Sequence, residues 1–161
     1  MLTIFAPTGS ALKKVDCGDL GALPESAVWI DMFNPTPEED RAVEGLVRIA
    51  VPTREEMQEI EISSRLYVEN GARYMTAILM CGSETDAPRT TPVTFIMSDR
   101  RLVTVRYDSP RPFVAVEHKL ARTAPPDING DAVVLELLEA VIDRCADILE
   151  RAGADVDAVS R

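Results

Sequence analysis

The chain has 161 residues, 46% apolar and 27% charged, a composition that folds as one ordinary domain and excludes a disordered segment. Seventeen Lys and Arg against 27 Asp and Glu leave a net charge of -10, which excludes a non-specific binder of nucleic-acid backbones. The longest uncharged stretch, Met1 to Leu12, is far short of a membrane span and lacks the basic start of a signal peptide, so a soluble, cytoplasmic piece is expected.

Leu2 to Ala6 reads as a first strand, ended by Pro7 and the Thr8-Gly9-Ser10 turn, with Ala11 to Val15 pairing back on it. Asp16 to Pro24 is a loop. Ala27-Val28-Trp29-Ile30 is a short apolar strand that runs into Asp31; Trp29 belongs in a core, and Asp31 is expected to brace the loop that follows. Thr36 then caps a helix with Pro37 at its first position, and Glu39 completes a capping box. That helix should run from Pro37 to about Ile49 and bury Ala42, Val43, Leu46 and Val47. Pro52 breaks the pattern. Thr53 and Glu56 repeat the box, and a short helix to Ile60 or Ile62 follows.

Ser64 to Glu69 and Arg73 to Met80 flank Asn70-Gly71, the strongest short hairpin signal, because both central residues of that turn need positive φ. After a polar loop from Gly82 to Arg89, Pro92 to Met97 and Leu102 to Arg106 form a second hairpin. Pro110 to about Ala124 carries Phe113, Val114, Val116 and Leu120 at helical intervals, and Pro125-Pro126 ends it. Asn129-Gly130-Asp131 opens the longest helix. In it Val134, Leu138, Val141, Cys145, Ile148 and Ala152 recur in steps of four and three, the seam of a helix that packs along another helix. The pattern reaches Arg161 with no Gly or Pro stop, as in a helix that continues. Six or seven strands with helices on both sides make an α/β/α sandwich; the hairpins require a mixed sheet, parallel and antiparallel.

The chemistry is sparse. There is no Gly-rich phosphate loop, no nucleophile elbow and no zinc signature. Cys17, Cys81 and Cys145 lie more than sixty residues apart, which suits neither a disulfide framework nor a metal knuckle; all three are expected as buried or half-buried free thiols. His118, the only histidine, reads as a surface residue. The carboxylates remain. Glu55, Glu56, Glu59 and Glu61 crowd the short helix, and from Asp131 to Arg161 eight acidic residues face three basic ones, a local charge of -5. Such a face is either merely solvated or a weak site for a hard cation, which one or two carboxylates hold through its waters. A stand-alone enzyme using two carboxylates, or an acidic module whose last helix docks a partner, also fits these residues.

The order of motifs is more specific. Trp29-Ile30-Asp31-Met32-Phe33-Asn34-Pro35-Thr36-Pro37-Glu38-Glu39 resembles the WIDL-x-x-P-x-x-E-E stretch in the cytoplasmic part of CorA-type divalent-cation transporters. Pro52-Thr53-Arg54-Glu55-Glu56-Met57-Gln58-Glu59-Ile60-Glu61-Ile62-Ser63-Ser64-Arg65 is similar to the P-T-R-x-E-L-E-D-I-E-x-S-x-R stretch that follows it. The hairpin Phe95-Ile96-Met97 with Leu102-Val103-Thr104-Val105-Arg106, and then Pro112-Phe113, fall where the family has F-I-L, L-V-T-V-R and P-x-F.

The resemblance implies a cytoplasmic α/β/α domain over residues 1–128 and, over 129–161, the first part of a long stalk helix. It implies a transporter part rather than an enzyme, lying at the inner face of the cell membrane, with the membrane helices and the Gly-Met-Asn loop outside this sequence. It further implies a homopentamer when full length, with regulatory Mg²⁺, or Co²⁺, Ni²⁺ or Zn²⁺ in relatives, held weakly between subunits. Carried over by position, the metal-holding acidic pair becomes Gln58-Glu59, of which Glu59 keeps the charge, and Asp143 matches a second acidic position. Glu59 and Asp143 are therefore the candidate metal residues. Without the membrane helices, and with an acidic last helix, this chain by itself is expected as a monomer or a weak dimer.

Overall fold

The computed structural model describes residues 1–15, 24–59, 61 and 65–160. Strands β1 (Leu2–Thr8) and β2 (Ala11–Val15) form the first hairpin, and β3 (Trp29–Phe33) pairs antiparallel to β1 on its other edge. β1 runs through Pro7, which the sequence places at its end. The pairing with β3 stops at Phe5, so the missing Pro7 N–H costs no ladder bond, while Pro7 still lies opposite Leu12 of β2.

Helix α1 (Pro37–Val47) follows, with the capping box between Thr36 and Glu39 in place, and the Thr53–Glu56 box opens α2 (Arg54–Met57). Both helices are shorter than their patterns suggest. Arg48 takes a left-handed conformation and closes α1; Leu46, expected inside, is exposed. In α2, Gln58 ends the helix after one turn; Ile60 and Ile62, where it was to end, lie outside the described residues.

β4 (Leu66–Glu69) and β5 (Ala72–Cys81) meet at the Asn70-Gly71 turn, with φ of 50° and 82° as that turn demands. β6 (Arg89–Ser98) and β7 (Arg101–Arg106) make the second hairpin, and α3 (Arg111–Arg122) and α4 (Gly130–Val159) complete the chain. The strand order is β2-β1-β3-β7-β6-β5-β4, antiparallel throughout except where β3 lies parallel to β7. This is the mixed α/β architecture the sequence implies.

Alternation along the strands splits the core in two. One face places Trp29, Phe95, Met97 and Leu102 against Phe113, Val116 and Leu120 of α3 and Val133, Val134 and Leu137 of α4. The other places Ile30, Met32, Tyr74, Ile96 and Val103 against Val43 and Val47 of α1 and Met57 of α2. Tyr74 reaches past this second core to the loop after α1, where its hydroxyl donates to Ala50 O and accepts from Ala50 N, each at 3.0 Å.

Candidate functional site

Where parallel strands β3 and β7 lie side by side, Asp31 and Arg106 are both buried, each less than a tenth exposed. Register explains the meeting: Asp31 lies opposite Thr104 and Phe33 opposite Arg106, so Asp31, Thr104 and Arg106 point to the α3 side together. Arg106 Nη2 donates to Asp31 Oδ2 at 2.8 Å and Nε to Oδ1 at 3.0 Å, a two-point grip on the carboxylate. Thr104 Oγ1 donates to Asp31 Oδ1 at 2.7 Å and itself accepts from Trp29 Nε1 at 3.0 Å. The guanidinium plane lies 4.6 Å from the Phe33 ring centre and 4.9 Å from that of Phe113, and Nη1 donates to the Asp108 carbonyl at 2.8 Å. Each charge is thus neutralised, and its remaining hydrogen-bonding capacity used, inside the protein. Asp31 does more than brace a loop. It is the buried anchor that ties β3 to β7 and to the approach of α3. Arg106 escapes a sequence reading because 75 residues separate it from its partner; the only local signal is an arginine closing an apolar strand.

Two further charged groups border this network. Asp108 receives Arg89 Nε at 2.6 Å and Nη2 at 2.8 Å, and the Arg89 guanidinium holds its carboxyl below the ordinary range. Cys81 lies against them, buried, and burial with the Asp108 charge pushes its thiol up to about 11. Such a thiol is unreactive at neutral pH. Cys145 is exposed on α4, against the expectation of a buried thiol, because its helix has left the sheet by that point. Cys17 lies outside the described residues.

On α1, Asp40 has a carboxylate oxygen, Oδ1, that is buried without a hydrogen-bond partner, the one such side-chain atom among the described residues. Burial, then repulsion from Glu44 and Glu39, hold its pKa above the ordinary value. A carboxyl whose folded pKa is raised penalises the fold once it is ionised, and the penalty disappears as pH falls below its unfolded pKa. Asp40→Asn is therefore expected to stabilise the protein at neutral pH by about 0.5 kcal/mol, the scale of a like-charged i,i+4 pair. The gain should vanish in acid below the carboxylate range; urea titrations at the two pH values measure it.

The two candidate metal residues lie apart. Glu59 follows α2 on the α1–α2 face, exposed, with its carbonyl accepting from Arg65 Nε at 3.3 Å. Asp143 lies on α4, across the sheet, where it lines an open groove of about 650 Å³ between α3 and α4. Asp147, Arg111 and Arg144 share that groove; Arg144 pairs with Glu84, as does Arg111 at 3.0 Å. Within one chain Glu59 and Asp143 cannot share an ion. Among the described residues no group of three or more acidic, His or Cys side chains is arranged to hold a metal, and no helix is long and apolar enough to cross a membrane. His118 is exposed on α3, as expected of a surface histidine.

Known proteins share both the sequence and the fold. Residues 24–161 match the model of the CorA-like Mg2+ transporter protein family. The magnesium transport protein CorA of Mannheimia succiniciproducens is 28% identical over 162 residues, covering all of this chain and 51% of that protein. The chain thus spans about half the length of the curated relatives it matches. The complete CorA magnesium transporter of Methanocaldococcus jannaschii superposes with a TM-score of 0.75 at 16% identity, over 99% of this chain and 50% of that one. The soluble domain of CorA from the same organism gives 0.73 at 18% identity, over 99% and 63%. The Asp31–Arg106 anchor lies within the matched region, and the chain belongs to the CorA-like Mg²⁺ transporter family.

Proposed function

We propose that the chain is the cytoplasmic, cation-sensing domain of a divalent-cation transporter, with Mg²⁺ as cargo and regulator. The observation that carries this reading is the family match over residues 24–161, supported by the fold likeness to the soluble domain of a magnesium transporter. In this reading residues 1–128 form the sensing body and 129–161 begin the stalk that leads toward the membrane, in a homopentamer at the inner face of the cell membrane.

The placement of Glu59 and Asp143 supports a site shared between subunits. They are exposed on opposite faces of one sheet, where two copies side by side present one to the other. Two facing carboxylates repel unless a cation lies between them, so occupancy favours the closed arrangement of subunits and loss of the ion lets them separate. A hydrated Mg²⁺ needs only one or two carboxylates, which suits a weak site that empties as the ion becomes scarce.

Thermal unfolding of the assembled protein that carries this domain tests the assignment. Mg²⁺ should raise the unfolding temperature in a concentration-dependent way, since it binds the folded assembly alone. Glu59→Ala and Asp143→Ala should each blunt that rise and, by removing the repulsion between facing carboxylates, should raise the metal-free unfolding temperature slightly rather than lower it. An unfolding temperature indifferent to Mg²⁺ would count against the sensing role.

A further inference from the structure

Along α4 the residues Val134, Leu137, Val141, Arg144 and Ile148 follow one another in steps of three and four, buried or half-buried, and so turn toward the domain. Four of them are apolar. Arg144 is the exception, with its side chain only 16% exposed. It comes where the helix departs: Ala140 and Val141 still pack on the α3–α4 core, while everything from Leu149 to Ser160 is exposed. A guanidinium set into an apolar row must be paired there, so its partner decides how the helix is held at that turn.

The partner comes from the loop between β5 and β6, 60 residues earlier in the chain. Arg144 Nη2 donates to Ser83 Oγ at 2.6 Å and to Glu84 Oε1, which also accepts from Arg111 Nη1 at 3.0 Å. The loop is built to present these two side chains. Gly82 takes a φ of 66°, and its carbonyl accepts from Thr85 N at 2.9 Å and from Thr85 Oγ1 at 2.7 Å. Thr85 Oγ1 in turn accepts from Ala87 N at 3.2 Å. A Cβ on Gly82 would come within 3.1 Å of Thr85 Oγ1 and 3.3 Å of Ala87 O, so the turn is closed tightly on itself. At its far end Arg89 grips the Asp108 carboxylate at two points, and the Asp108 carbonyl accepts from Arg106 of the buried anchor at 2.8 Å. The loop is thus a bracket fixed to the sheet, offering one hydroxyl and one carboxylate to α4.

Arg144 also has a second carboxylate close by. Asp147 Oδ2, one turn on along the same helix, lies 4.0 Å from Arg144 Nη1, just beyond a hydrogen bond. A guanidinium between these two carboxylates has two settings. On Glu84 it ties the helix to the domain; on Asp147 it ties the helix only to itself. We propose that Ser83, Glu84 and Arg144 form a latch that holds α4 to the domain at its point of departure. The latch is closed in this structure. When it opens, Arg144 turns to Asp147, Glu84 stays with Arg111, and α4 is released from Val141 onward. Gly130, Val133, Val134 and Leu137 keep the first half of the helix seated in both settings. The contacts are few and Glu84 is 34% exposed, so the balance is shallow and responds to salt and to nearby charge. The latch does not rest on the cation-sensing role. In a transporter it would decide whether the distal half of α4 moves with the domain or apart from it.

Hydrogen–deuterium exchange of the 161-residue chain, read peptide by peptide along α4, tests this. Amides from Val141 to Ile148 should be better protected than those from Leu149 to Ser160. Glu84→Ala, a change in a surface loop, should speed exchange from Val141 to Ile148 by roughly tenfold, while Gly130 to Leu137 and the sheet exchange as before. Arg144→Gln should do the same, and the double variant no more than either alone, since both remove one contact. Salt at about 0.5 M should speed the same amides in the parent chain and leave Glu84→Ala unchanged. Asp147→Asn, which removes the acceptor of the open setting, should leave those amides at least as protected as before. Exchange unmoved by Glu84→Ala, a loss of protection spread over the sheet, or a loosening by Asp147→Asn as large as that of Glu84→Ala would each overturn the proposal.

Discussion

Asp31→Ala is expected to cost about 3–5 kcal/mol, the loss seen when one member of a buried ion pair is removed and the other is left uncompensated. The Arg106 guanidinium would keep its place over Phe33 and Phe113 and its bond to the Asp108 carbonyl, yet face a cavity where two carboxylate oxygens had been. The hydroxyl of Thr104 would lose its acceptor as well. Against a total stability of about 5–15 kcal/mol for a domain, this is a large share. Arg106→Met should cost a similar amount, because it strands the carboxylate. The double variant Asp31→Ala with Arg106→Met should cost clearly less than the two single losses added together, since no charge is then buried. Urea unfolding of the four proteins gives the coupling directly. Additive losses would mean that the pair does not hold β3 to β7.

Gly130→Ala should destabilise the protein by about 1–3 kcal/mol, the usual cost of overpacking, although Gly→Ala inside a helix ordinarily gains about 1 kcal/mol. A Cβ at this position would come within 2.5 Å of the Arg101 carbonyl carbon, 2.6 Å of Leu102 N and 3.0 Å of Arg100 O, all backbone atoms that no rotamer change can clear. The same contact carries the bond from Gly130 N to Arg100 O at 2.7 Å, which seats the start of α4 on the β6–β7 turn. Gly153, farther along the same helix, has nothing within 4 Å of its Cβ direction. There Gly153→Ala should stabilise by about 1 kcal/mol. Opposite signs from one substitution in one helix, read from thermal midpoints, separate tertiary contact from propensity.

Local chemistry made much of the fold legible. Thr36 with Glu39, and Asn70 with Gly71, specify a cap and a turn within four residues, and both are formed as their sequence dictates. Helix ends were harder to read because they depend on single backbone choices: Arg48 turns left-handed, and α2 stops at Met57. Long-range matters were not legible. The parallel pairing of β3 with β7 brings Asp31 to Arg106, and neither residue's neighbours hint at the other. The α4 seam was visible as periodicity, but which flank meets the sheet is decided by the close approach at Gly130 and by Val133, Val134 and Leu137. Glu59 and Asp143 came from positions in a family pattern, and the fold sets them on opposite faces of the sheet. If the two act from different subunits, as proposed, no spacing signal is expected within one chain.

The cation-sensing role is most directly tested by flux. The protein that carries this domain, reconstituted in vesicles, would be supplied with Mg²⁺ on the domain's side at concentrations from micromolar to millimolar while transport of the cation is followed. Flux should fall as Mg²⁺ on that side rises, and Glu59→Ala should shift the fall to higher concentration. Flux that is the same at every Mg²⁺ concentration on the domain's side would contradict a sensing domain.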